Sequence, residues 1–256
     1  MEDIEIDRNT CLSKLICGYD FDPDNEIDVI LGHLSGSIEK IIVEISELPS
    51  KNDDKLTLYG PYLGRSLLEL SMTALLARLD PFRILVMKGK QVQPGYELKK
   101  PHVSAIRWQG DVVDVSVTDL WAEKALKNPS RAILGAYQVK LVLVASAQRI
   151  LDEGNEQAIG EWYSELVQTD ANGLVEKIKS KLNSLYSSLS KGIHHELLVP
   201  IESILDRDTV LTFLNDVLFV ISTLGLVVSR VPHAYHKCSK SESFMYYKKA
   251  KELEVI

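Results

Sequence analysis

Apolar residues in this chain recur mostly at steps of three and four, the spacing that gathers them on one face of an α-helix. Between residues 27 and 48 the stripe is Ile30, Leu31, Leu34, Ile38, Ile41, Ile42 and Ile45. A denser stripe follows, with Leu63, Leu67, Leu68, Leu70, Met72, Leu75, Leu76 and Leu79. Pro61 stands near its expected start, and Asp80-Pro81 is expected to stop it. Helices are also expected over 132–151, 159–167 and 170–189, the last with a stripe of Leu174, Ile178, Leu182, Leu185 and Leu189 broken at Gly192. Asp206 or Asp208 would cap a helix over 208–228, and a charged helix over 244–253 closes the chain. Leu67, Leu75, Leu182 and Phe219 are expected in the core. Residues 1–25 are acidic and show no helical period, which reads as a solvated loop.

In the middle of the chain the period changes. Phe82–Met87 is a short apolar run suited to a strand, and Pro94-Gly95 marks a turn. Residues 105–108 and 112–117 read as a strand pair, with Val113, Val115 and Val117 alternating against Asp114 and Ser116. The expected fold class is mainly α (α+β), a helical bundle with a small antiparallel β insertion. Residues 1–256 are read as one compact domain, with helices and the small sheet in 1–127 and the rest of the bundle in 128–256.

Composition narrows the functional classes. The net charge of −7 opposes nonspecific DNA binding, which needs a positive field. Three cysteines suggest no disulfide framework and favour a reducing compartment, so a cytoplasmic location is expected. The longest apolar run, Val217–Val228, is short for a membrane span and reads as a buried core helix; no membrane association is expected. No phosphate loop is present, because Gly60-Pro61-Tyr62-Leu63-Gly64 lacks the lysine and the Ser or Thr that such a loop needs.

Three clusters can carry chemistry. His194, His195 and Glu196 stand side by side after a glycine, with Ser187, Ser188, Ser190 and Lys191 upstream. Imidazole exchanges protons near neutral pH, and the hydroxyls and the ammonium group could hold an anion. Arg230, His233, His236 and Cys238 form the second cluster. They lack the further ligands of a zinc site, so neither a metal nor a cofactor is expected. Arg65 and Glu69, at i and i+4 in an otherwise apolar helix, can pair as a strut or line a pocket.

The helical pattern over about residues 130–237, with Arg230 and His236 separated by five residues, resembles the HEPN superfamily. Its members are small helical bundles of prokaryotic toxins and antiviral defence systems, often dimeric, and many are metal-independent ribonucleases. Their motif is an Arg, four to six residues, then a His. The resemblance implies a defence or stress-response protein that cleaves RNA, with Arg230, His236 and His194 as catalytic residues. Lys191, His195, Glu196 and His233 would be ligand-binding. It also implies RNA or a nucleotide as ligand and a protein partner or a second copy of the chain. The alternative is a noncatalytic protein- or nucleotide-binding component of a larger assembly. At the first histidine cluster the chain departs from the motif: His194 and His195 follow Ser187, Ser188, Leu189 and Ser190 where an Arg would stand. If the helices ending near Gly192 and Ser229 run parallel, both clusters meet at one end of the bundle.

Overall fold

The computed structural model describes residues 7–97, 133, 139–193 and 205–256, and among them it contains ten α-helices and no strand. The helices are α1 (Arg8–Cys17), α2 (Glu26–Glu47), α3 (Asp53–Leu79), α4 (Pro81–Gln91), α5 (Val144–Glu153), the short α6 (Glu156–Ile159) and α7 (Tyr163–Leu166), then α8 (Ala171–Ile193), α9 (Arg207–Ser229) and α10 (Lys240–Ala250). A π-helical turn, Val139–Leu143, leads into α5. The strand expectations at 105–108 and 112–117 lie outside the described residues.

Local chemistry accounts for the helix starts. Asn25 accepts from the backbone N–H groups of Ile27 and Asp28, and Asn52 from that of Lys55. Asp206 caps α9 by accepting from Thr209 N–H. Ser239 and Glu242 form a reciprocal capping box, which starts α10 at Lys240 rather than at Phe244.

Four expectations are corrected. Phe82–Met87 is helical, because Asp80 ends α3 and also caps α4 through Arg83 N–H, with Pro81 in the first turn. Its apolar residues face the bundle on one side only: Ile84 is buried while Phe82 is exposed. Pro61 lies inside α3, which begins at Asp53. Gly192 does not break α8, which runs on to Ile193. The acidic N-terminal stretch contains α1, whose Cys11, Leu12, Leu15, Ile16 and Cys17 are fully enclosed.

α3 and α9 form the centre. Gly60 of α3 faces Val210 of α9 at a separation with no room for a Cβ, and Gly64 faces Leu214, so the two helices run in the same direction. α8 runs the opposite way. Leu189 packs on Gly64, Gly192 packs on Pro61, and Lys181 pairs with Asp216 at 2.5 Å. α9 is 23 residues long and apolar enough to cross a membrane by length and composition, yet 72% of its most apolar window is buried in the protein. The structure uses it as the core helix that its composition suggests.

Leu67, Leu75 and Leu182 are 0% exposed and Phe219 is 8% exposed, in line with their stripes. Leu67→Ala or Leu182→Ala should lower the unfolding free energy by about 2–5 kcal/mol through transfer and cavity costs. Val92→Ala, at a side chain 69% exposed, should change it by less than about 0.5 kcal/mol. Urea denaturation of the three variants checks this ordering.

Candidate functional site at the end of α8

The antiparallel course of α8 and α9 sets the last turn of α8 and the Arg230–Cys238 segment at opposite ends of α9. The last turn of α8 lies beside Pro61 and Leu205, at the N-terminal end of α9. Arg230 caps the other end of α9, about 33 Å away along its axis. The parallel course on which a single surface was expected is therefore corrected to an antiparallel one.

At the α8 end, two features that the sequence presents separately come together. Gly60, Gly64 and Gly192 let α3, α8 and α9 approach closely, and this brings Arg65 of α3 onto the last turns of α8. Arg65 Nε donates to Glu69 Oε1 at 3.0 Å, Nη1 to Ser190 Oγ at 2.6 Å and Nη2 to the Tyr186 hydroxyl at 2.7 Å. The guanidinium carbon lies 4.4 Å from the centroid of the Tyr186 ring. Ser190 Oγ in turn donates to the Tyr186 carbonyl at 2.7 Å, which fixes its rotamer.

A guanidinium has five N–H donors. Three are committed here, leaving one on each Nη. The Arg65 side chain is 20% exposed and that of Glu69 46%, so the carboxylate is the more solvated partner. The group is an anchored cation with spare donors, which is what recognition of a phosphate or carboxylate requires. Lys191 follows Ser190 and is exposed. His194, His195 and Glu196 lie outside the described residues.

At the opposite end, Arg230 and His236 serve different partners. Arg230 Nη2 donates to the Lys240 carbonyl at 3.0 Å and to Ser243 Oγ at 2.7 Å, and its guanidinium stacks 4.8 Å from the Phe244 centroid. His236 Nε2 bonds to Asp28 Oδ1 on α2, with the Phe21 and Tyr235 rings edge-on to the imidazole. His233 is exposed, and Cys238 Sγ donates to the Lys14 carbonyl. Among the described residues no three His, Cys, Asp or Glu side chains are grouped as metal ligands. All three cysteines are buried, and burial pushes the Cys11 thiol up to about 11 and the Cys17 thiol up to about 12.

The His236–Asp28 contact ties two strained loops together. His236 has φ +46° and Asp20 has φ +59°, and these are the non-glycine residues in the left-handed region among those described. Gly18, at φ +87°, lies so close that a Cβ would meet His236 Cβ at 2.8 Å. Asp28 was not singled out by sequence. Its signal is weak, a carboxylate on the edge of an amphipathic stripe.

No family model, curated protein or solved structure matches this chain.

Burial acts to raise the Asp28 pKa, but the Asp22 N–H, His236 and the Tyr235 hydroxyl outweigh it and hold it below its ordinary value of 3.8. A depressed folded pKa means that the stabilisation is present above the unfolded value and is lost as pH falls through the folded one. Asp28→Asn should therefore be less stable than the parent at neutral pH. The two melting curves should converge as pH drops below 3.8. A constant difference down to acid pH would show that ionised Asp28 is not the cause.

Proposed function

We propose that this chain is a HEPN-like helical protein of a prokaryotic defence or stress-response system and that it cleaves RNA at the end of α8. The observation that supports this reading is the Arg65 guanidinium seated on Ser190 and Tyr186. Counted back from His195 with four residues between, Ser190 stands where the family motif carries its Arg. Arg65 brings a guanidinium to that position from a different helix.

The chemistry follows from these groups. One histidine of the His194–His195 pair takes the proton of a ribose 2′-hydroxyl, and the 2′-oxygen attacks phosphorus. The bond to the 5′-oxygen breaks, and the second histidine protonates the leaving oxygen. The products are a 2′,3′-cyclic phosphate and a 5′-hydroxyl. The spare N–H groups of Arg65 stabilise the charge on the phosphorane oxygens. Lys191 and Glu196 flank the pair in sequence and serve ligand binding. On this reading the protein acts in the cytoplasm, as a homodimer or with a protein partner.

The second reading is a noncatalytic protein- or nucleotide-binding component. It is favoured by the engagement of Arg230 and His236 in separate internal contacts.

The test is cleavage of a labelled RNA in the presence of a chelator, with the product ends identified. His195→Ala and Arg65→Ala should each lower the rate by about 10²-fold or more. Arg65→Lys should keep the fold while losing the forked donors. Arg230→Ala and His236→Ala should lower the melting temperature while sparing most of the turnover. A parent protein that leaves RNA intact would select the noncatalytic reading.

A further inference from the structure

A cleft of about 410 Å³ lies apart from the Arg65 group, between α7, α8, α9 and the 3₁₀ turn Lys251–Leu253. That volume falls in the range of small-molecule sites. Trp162 and Phe219 are part of its lining, and their ring centroids lie 5.4 Å apart in an edge-to-face pair. Trp162 is oriented by its Nε1, which donates to Glu254 Oε1 at 3.1 Å.

Its charges are unequal. Glu161, Glu165, Asp216 and Glu254 line it against Lys181 and Lys251. Lys177 reaches Glu165 from outside the lining at 3.0 Å, which still leaves four carboxylates to three ammonium groups. Lys251 is shared, at 2.8 Å from Glu254 and 3.2 Å from Glu161. The hydrogen bond to Glu254 raises the Lys251 pKa above its ordinary 10.5, burial opposes the rise, and Glu161 adds to it. Lys181 pairs with Asp216 at 2.5 Å, and its ammonium group lies 5.3 Å from the Phe219 centroid. The chain's own side chains thus display what these walls hold: one ammonium group between a carboxylate and a ring, and another between two carboxylates.

We propose that this cleft binds a linear aliphatic polyamine, with ammonium groups on Glu161 and Glu165 and the methylene chain against Trp162 and Phe219. Those two carboxylates have the more accessible side chains of the four, 80% and 45% exposed, so they can turn toward a ligand while Asp216 and Glu254 keep their internal partners. The excess of carboxylates selects a cation over an anion, and the rings add the attraction of an aromatic face for an ammonium group. A divalent metal ion needs several oxygens converging on one point. Here lysines stand between the carboxylates, and among the described residues no three His, Cys, Asp or Glu side chains are grouped for a metal. A ligand whose charges are separated by methylene groups matches carboxylates that are themselves separated. The inference goes beyond RNA cleavage and does not depend on it, since no residue of the Arg65 group lines the cleft.

The experiment is calorimetric titration of the full chain with spermidine at low salt. The parent should bind it, and Mg²⁺ at the same concentration should leave it bound. Glu161→Gln/Glu165→Gln should bind about tenfold more weakly, the loss expected for two partly exposed charge pairs. Lys181→Met frees Asp216 and should bind about threefold more tightly. Glu44→Gln/Glu47→Gln removes two carboxylates from α2, outside the cleft, and should bind as the parent does. Circular dichroism of the variants should match the parent. No binding by the parent, unchanged binding by Glu161→Gln/Glu165→Gln, or full displacement by Mg²⁺ would overturn the inference. An equal loss in Glu44→Gln/Glu47→Gln would also overturn it, because the amine would then be gathered by the net charge of −7 rather than by the cleft. Lys181→Met binding no more tightly, with the parent's circular dichroism, would do the same.

Discussion

One buried cation holds the bundle together at its closed end. Arg78 is fully enclosed, and the ion pairs of the described residues give it no carboxylate partner. Burial lowers its pKa, yet a guanidinium stays protonated in a protein. An isolated charge inside a protein is costly unless its donors are satisfied. Here the compensation is partial and comes from backbone: Nη1 donates to the carbonyls of Leu15 and Ile16 at 2.9 Å each and Nε to that of Tyr235 at 2.9 Å, while Nη2 is buried without a partner among the described residues. Leu15 and Ile16 are in the last turn of α1, where unpaired carbonyls and the helix dipole favour a positive charge. Tyr235 N–H in turn donates to the Arg78 carbonyl at 2.9 Å.

That clamp sets the position of the loop after α9, and with it the loop after α1. Tyr235 is fixed on Arg78, and the next residue, His236, is forced to φ +46° and reaches Asp28. Because α3 and α9 run the same way, everything tied to the end of α3 also meets the end of α9. Arg230, His233, His236 and Cys238 are therefore brought to the clamped end, while the last turn of α8 is carried to the other. A relationship between two helix directions thus decides which side chains can cooperate.

The stripes of α2, α3, α8 and α9 were legible because each buries one face against a neighbour at helical spacing. α1 was not, since its enclosed positions include Cys11, Ser13 and Cys17, which carry little hydropathic signal. α4 was misread for a different reason. Asp-Pro both ends a helix and caps the next, and a six-residue apolar run has no decisive period. At the site, sequence identified Arg65–Glu69 and the serine-rich turn before His194, but not their meeting. That contact depends on Gly60, Gly64 and Gly192 facing bulky partners across three helices. Close approach of this kind is a property of pairs that are distant in the chain, and it leaves no mark in local pattern. The Arg230-to-His236 spacing carries no information about partners: Arg230 reaches Lys240 and Ser243, and His236 reaches Asp28.

The arginines at the two ends are held by partners of different kinds. At the clamped end, Arg230 lies over Phe244 with its Nε buried and its Nη2 divided between Lys240 and Ser243, and Asp28 takes His236, Tyr235 and the Asp22 N–H. Arg230 meets its partners through Nη2 alone, its Nε being buried without one, and removing it leaves the Lys240 carbonyl and Ser243 Oγ without that donor. At the α8 end, Tyr186 and Ser190 take one N–H from each Nη of Arg65 and hold the guanidinium plane without neutralising it, since both are uncharged. Among the described residues Glu69 supplies the only carboxylate bonded to Arg65, at the Nε side, and is nearly half exposed. Lysine in that place could keep a charge but not three fixed directions and a stacked face. Arg65 is thus an arginine whose orientation is set by neutral acceptors and a ring, and whose outer N–H groups have no partner among the described residues.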